Sequence, residues 1–459
     1  DNTYPGAACD VPSFSYCFSF EQKTDWSRKW APQAEILAYM EHCAEKYGLM
    51  PHIRFGVEFT GATFDPGAGV WRIRTHGAEE LEAEILVSGV GQLHKPFTPK
   101  IAGLDEFAGV RFHSARWDHS VDLTGKSVAV IGNAASAIQF VPEVAKQAAR
   151  LFVFQRSANW MLPRRDRAYR PFERWLFAHV PGVARLYRWY IWAMLESRYP
   201  LFRGNAFFQR QVEKFAKMYI REVVGDADLR KALVPDYPPG ARRLLVSDDY
   251  YRSLTRDHVE LIDAGIDRIT ANAIVAAAGK EFPVDVLILA TGFDTTNFLA
   301  PADLEGLDGR SLQSTWDAGA RAYLGMTVSG FPNFFLMYGP NTNLGHNSIL
   351  FMIECQARYI VECARALRDQ RIDYLDLKPE ALDAYNAKLQ RELAQTVWAR
   401  TDHSWYKRAD GTITNNWAGT TTRYWWRTRK PDLAAYRLVR GETSAAEHDE
   451  AAALQTAAS

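Results

Sequence analysis

The run Ser127-Val128-Ala129-Val130-Ile131, followed at once by Gly132-Asn133-Ala134-Ala135-Ser136-Ala137, constrains this chain more than any other feature. The first five residues read as a strand, and the glycine after them turns the chain sharply. A helical pattern over Ile138 to Ala149 and a second apolar run, Leu151-Phe152-Val153-Phe154, complete a strand-helix-strand unit of about 30 residues. That is the size of half a dinucleotide-binding fold, in which a pyrophosphate sits on the helix N-terminus. Gly132 allows the turn and Ala137 allows close helix packing. Ala134 puts a methyl group where a second glycine would let the backbone approach phosphate. At the end of the second strand, Arg156 stands near the place where an acid would bind a ribose hydroxyl. An arginine there suits a 2′-phosphate, and so NADPH. On these residues alone, a plain strand-to-helix turn with a surface arginine stays open.

A length of 459 residues calls for two or more packed units. An amphipathic helix is expected from about Gln33 to Tyr47. Hairpin strands are expected at Ile53-Arg54-Phe55, Val57-Glu58-Phe59 and Val70-Trp71-Arg72-Ile73, then a buried strand over Ile85 to Gly89. A linker surrounds Pro96, Pro99 and Gly103. Between about residues 164 and 234 a helical, aromatic and basic insertion interrupts the rhythm, including Leu186-Tyr187-Arg188-Trp189-Tyr190-Ile191-Trp192. It reads as a helical subdomain packed on the nucleotide domain, with a substrate lid or a membrane-surface patch as the alternatives. Strands resume at Arg243 to Val246, Val259 to Ile262 and Val286 to Ala290, the last running into Thr291-Gly292-Phe293. After Phe334 to Tyr338 comes a long helix from about Asn347 to Arg371, and the tail 441–459 reads as disordered.

The balance of 54 basic and 54 acidic side chains argues against a nucleic-acid surface, so small-molecule partners are expected. Five scattered cysteines with no CxxC pair fit a reducing, cytoplasmic setting and no metal site. No apolar run reaches the roughly 18 residues that a spanning helix needs. A spanning helix is therefore not expected, and surface association with a membrane stays open through the insertion without being expected.

Immediately before the glycine-turn unit lies Phe107-Ala108-Gly109-Val110-Arg111-Phe112-His113-Ser114-Ala115-Arg116-Trp117-Asp118. This FxGxxxHxxxW pattern resembles the fingerprint of Baeyer–Villiger monooxygenases, class B members of the flavin-containing monooxygenase superfamily. The related N- and S-oxygenating enzymes lack its Trp. Read without that resemblance, His113 and Trp117 are packing residues; with it, Phe107, Gly109, His113 and Trp117 look like a hinge between nucleotide and flavin sites. A second match is Tyr4-Pro5-Gly6-Ala7-Ala8-Cys9-Asp10, similar to the right half of the family's [AG]GxWxxxx[FY]P[GM]xxxD motif. The left half and the family's first GxGxxG would lie upstream of Asp1. The chain therefore reads as N-terminally truncated and is expected to hold FAD poorly.

The resemblance implies an α/β fold of two Rossmann-like dinucleotide-binding domains, the FAD domain incomplete at its N-terminus, with the helical insertion in the NADP domain. The expected parts are an FAD domain over 1–120, an NADP domain over 121–290 and a returning FAD part over 291–440. It implies FAD and NADPH as cofactors, and a C4a-peroxyflavin that attacks a ketone to give an ester or lactone. Asp10, Tyr16, Asn347 and Ser348 would adjoin FAD. Gly132, Asn133, Ala134, Ala135, Ser136, Ala137, Gln139, Arg156, Ser157, Arg242 and Trp405 would bind NADP. In the pair Arg242-Arg243, the first would meet the 2′-phosphate and the second would be catalytic, positioned by Asp10. A fixed guanidinium suits that work because it cannot lose its proton when buried. Gly339-Pro340-Asn341-Thr342-Asn343 with Gly345-His346-Asn347-Ser348 is similar to the flavin-facing segment, nearest to the 4-hydroxyacetophenone monooxygenase branch. The readings kept beside this one are an N- or S-oxygenating flavin monooxygenase and a nucleotide-binding fragment without oxygenase activity.

Overall fold

The computed structural model describes residues 2–77, 80–277, 279–295, 298–299, 302–401, 406–408 and 410–440. Trp405 and the tail 441–459 lie outside them. The chain divides into two compact units, one of Asp1–Leu49, Lys95–Asp294 and Gly345–Asn347, the other of Met50–His94, Thr295–Leu344 and Ser348–Ser459. This partition differs from the expected one, because residues 1–49 and 95–120 group with the glycine-turn sheet.

The reason is strand pairing. In the first unit, β1 (Val110–His113), β2 (Ser127–Ile131), β3 (Arg150–Phe154), β4 (Val259–Ile262) and β5 (Val286–Leu289) form a wholly parallel sheet in the order β4-β3-β2-β5-β1. β1 carries the FxGxxxHxxxW stretch and pairs with β5, which fixes it to this sheet. Both faces of the sheet are covered, so its strands are almost continuously apolar. Val128, Val130, Leu151 and Val153 meet helix α1 (Ala137–Val144) through Ile138, Phe140 and Val141. Ala129, Ile131, Phe152 and Phe154 face a three-stranded meander (Ile266–Ile269, Ala273–Ala276, Glu281–Pro283) through Ile274 and Phe282. The insertion is helical as expected, with α2 (Pro171–His179), α3 (Val183–Glu196) and α4 (Ala206–Val223).

In the second unit, an antiparallel hairpin of Phe59–Asp65 and Val70–Thr75 is flanked by Leu81–Ala83 and, in parallel, by Asp303–Glu305. Trp71 is wholly buried and its indole N–H donates to the Pro332 carbonyl at 2.8 Å. Leu86–Ser88 and Phe334–Leu336 pair in parallel. The long helix α5 (Ile349–Asp369) starts two residues after Asn347 and buries Met352, Cys355, Tyr359 and Cys363.

Four local expectations fail. Ile53 to Glu58 is not strand, because Met50–His52 forms a short 3-10 turn and Gly56 adopts φ of 71°. The segment at Leu86–Ser88 is a strand but not a buried one, with Val87 exposed. Helix α1 ends at Val144 instead of Ala149, since Lys146 and Gln147 bond three residues back and the chain must return to β3. Arg243 precedes its strand, which spans only Leu245–Val246.

Phe140 is fully buried between Tyr4 and Trp117, with ring centroids at 5.8 and 5.1 Å. Phe140→Ala should lower unfolding free energy by about 3–5 kcal/mol, read as a shift of the urea midpoint with unchanged m-value.

Candidate functional site

The strand order reverses beside β2, so β2 and β5 leave the sheet at the crevice where open parallel sheets bind ligands. Gly132 ends β2 with φ of 109°, and a Cβ there would lie 2.4 Å from the Ala290 carbonyl oxygen. No other residue fits that approach. Ala134 is exposed just before α1, with Ala135 and Ser136 in the same turn, and Ala137 is buried as the first helical residue. The positive end of α1 lies at this turn.

Polar side chains gather at the ends of β2 and β3. The Asn133 amide donates to Gln155 Oε1 and to the Ser157 carbonyl, both at 3.0 Å, and Asn159 donates to the Asn133 carbonyl at 3.2 Å. The Arg242 guanidinium donates to Ser157 Oγ at 2.6 Å and lies 4.4 Å from the Tyr237 ring centroid. Burial pushes the Tyr237 phenol up to about 12 despite the nearby Arg242 charge. Arg156 is exposed. Arg242, Ser157 and Arg156 thus occupy one end of the crevice, a donor set that suits a 2′-phosphate. Asn159 and Tyr237 were missed from the sequence, where neither stands in a pattern that marks it.

Arg243 faces a different partner, donating to the Asp10 carboxylate. Both side chains are partly open to solvent, so the pair adds on the order of 1 kcal/mol or less to stability. Its effect is to orient the guanidinium. Tyr16 stands close by: burial raises its phenol pKa, Asp10 raises it further, and Arg243 opposes them. Asp10, Tyr16 and Arg243 are therefore brought together, as expected.

Gln139 serves the segment that carries Asp10. Its amide accepts from Tyr4 Oη at 2.9 Å and donates to the Ala8 carbonyl at 3.0 Å. Expected at the cofactor, it ties residues 4–8 to α1. Asn347 donates to Glu196 at 3.0 Å in the first unit, while Ser348 is the N-cap residue of α5 in the second. Ser348 has extended backbone angles there, so the first amides of a 21-residue helix follow it, a setting that fits an anionic ring system.

The FxGxxxHxxxW residues are packing and anchoring groups. Phe107 lies over Gly109, where a Cβ would come within 2.7 Å of the ring and 2.5 Å of the Asp285 carbonyl oxygen. Trp117 packs edge-on against Phe112 at 5.0 Å and against Phe140 of α1, so it braces the glycine-turn helix. His113 Nδ1 accepts the Ala115 N–H at 3.1 Å. Burial lowers its pKa, with the Gly292 backbone pulling the other way. The imidazole is thus held neutral more firmly folded than unfolded. Its contribution to stability is full above the unfolded value of about 6.5 and is lost as pH falls below that. The fall in melting temperature from about pH 7.5 to 5.5 should be smaller in His113→Asn than in wild type; equal falls would remove His113 from the account.

The profile of the family described as flavin-binding monooxygenase-like matches residues 10–302. A protein of Streptomyces coelicolor named Baeyer-Villiger monooxygenase is 40% identical over 442 residues, which is 96% of this chain and 85% of that one. Among solved structures, an oxidised steroid monooxygenase bound to NADP superposes with a TM-score of 0.84 at 31% identity, over 96% of this chain and 92% of that one. The OTEMO complex with FAD and NADP gives a TM-score of 0.84 at 26% identity, over 95% and 92%. With its parallel sheet turned at Gly132 and a match of this breadth, the chain belongs to the flavin-binding monooxygenase-like family, as an α/β enzyme of two dinucleotide-binding domains.

Proposed function

We propose that this enzyme uses NADPH, FAD and O2 to insert oxygen beside a ketone carbonyl, giving an ester or lactone. The observation that carries the reading is the divergence of two adjacent arginines. Arg242 turns to Ser157 at the nucleotide crevice, and Arg243 turns to Asp10. When bound, the flavin would pass two electrons from NADPH to O2, of which one oxygen atom enters the product and the other leaves as water. The chain's own residues supply position and charge. Arg242, Ser157 and Arg156 hold the 2′-phosphate, and the turn from Gly132 to Ala137 receives the pyrophosphate.

Asp10 fixes the Arg243 guanidinium, whose charge would stabilise the oxygen on which negative charge develops. A preorganised cation there needs no reorganisation during the reaction. Arginine keeps its proton in a partly desolvated site where lysine could lose it. Tyr16, with its phenol held protonated by burial and by Asp10, keeps a donor beside the same pair. The resemblance of the segment from Gly339 to Ser348 to the 4-hydroxyacetophenone monooxygenase branch favours aryl ketones among the substrates. Trp117, which the N- and S-oxygenating relatives lack, favours the carbonyl over the heteroatom.

Arg243→Ala should cut ester formation by about 10²–10³-fold while NADPH still reduces the flavin. Ester yield at the wild-type level would refute the assignment. Arg242→Ala should raise KM for NADPH by roughly tenfold and leave NADH nearly unchanged, the loss of one charge-assisted contact. A ketone and a thioether offered together, with products separated by mass, distinguish the two oxygenations: sulfoxide without ester would favour the heteroatom reading.

A further inference from the structure

The helical insertion presents an apolar face on its outer side. On α3, Ala184, Ile191 and Leu195 are buried in a cluster with Phe14, Tyr39 and Tyr169. Leu186, Trp189 and Tyr190 stand on the opposite side of the same helix, at i, i+3 and i+4, and are exposed, Leu186 at 70%. On α2, no residue is buried; Phe172 and Trp175 are exposed with their rings stacked, and Trp175 stacks in turn on His179 at 5.4 Å. The short turn Val180-Pro181-Gly182 makes α2 and α3 antiparallel neighbours, fastened by Phe177 against Tyr187 at 5.1 Å.

Charge is concentrated at the same place. Residues 164–203 hold nine arginines and three acidic side chains, an excess of six positive charges in a chain whose 54 basic and 54 acidic groups cancel overall. Arg170, Arg174 and Arg185 on the hairpin are exposed. Of the acids, Glu173 is consumed locally. Arg167 grips it with two bonds of 2.6 and 2.7 Å, and its carboxyl is held down at about 2.

Tryptophan, tyrosine and leucine on one outer face, flanked by arginines, match the composition of a surface that lies in the headgroup region of a bilayer. Among the described residues no helix is long and apolar enough to cross a membrane, so the contact would be peripheral. A two-fold dimer through this face would set it against its own copy, arginines against arginines, which is unfavourable. We propose that the α2-α3 hairpin docks on an anionic lipid surface. Trp175, Leu186 and Trp189 enter the acyl boundary, and Arg170, Arg174 and Arg185 meet headgroup phosphates.

The test is flotation of the purified chain with vesicles of phosphatidylcholine mixed with phosphatidylglycerol, and with vesicles of phosphatidylcholine alone. The wild-type chain should float with the mixed vesicles and stay below with the neutral ones. Trp175→Ala/Trp189→Ala and, separately, Arg174→Glu/Arg185→Glu should each reduce flotation by roughly tenfold or more. These side chains are exposed, so both variants should keep the wild-type melting temperature. Three results would overturn the proposal: a wild-type chain that floats with neither vesicle, an aromatic variant that floats like wild type, or a solution dimer that the aromatic variant converts to monomer.

Discussion

The close approach of Gly132 to the Ala290 carbonyl is the constraint on which the site depends. It joins the end of β2 to the end of β5 with no side chain between them. The chain can then turn directly from the strand end into α1. A methyl group at Gly132 would meet a backbone oxygen, and a backbone cannot step aside as a flexible side chain can. The other groups are hung from this junction. Asn133 reaches across to Gln155 and Ser157, and Ser157 receives Arg242. Trp117 props the helix from behind.

A second level of organisation fixes the segment bearing Asp10. Tyr4 and Ala8 are bound to Gln139 on α1, and a Cβ on Gly6 would lie 2.5 Å from the Gln139 carbonyl oxygen. The helix that opens toward the nucleotide crevice therefore also positions the carboxylate that orients Arg243. On the proposed reading, phosphate recognition and placement of a cation share this one short element.

What could be read from the residues was whatever local sequence dictates. The β2-turn-α1-β3 unit was legible because apolar runs, a glycine and a helical period follow each other within about thirty residues. The partners of Arg243 and the gathering of Asp10 with Tyr16 followed from the resemblance, and the structure brings those side chains together. Less legible were features set by distant chain. Ile53 to Phe55 looked like a strand but, among the described residues, pairs with no other strand. Val110–His113 belongs to the parallel sheet only because β5, more than 170 residues later, lies beside it. Gln155 closes a buried strand with a polar amide whose meaning depends on Asn133, Ala232 and Asp263 being near. No periodicity announces such a meeting.

Asp10 and Arg243 stand 233 positions apart in the chain. Their meeting requires one of the longest loop closures in the molecule, and the entropy of that closure must be met by burial elsewhere before a half-exposed ion pair can form. The pair therefore depends on the N-terminal segment being docked. A molecule with its sheet assembled but its first ten residues still undocked would have a nucleotide crevice and an unaimed cation. Partial assembly would then yield cofactor binding before it yields competence for oxygen insertion.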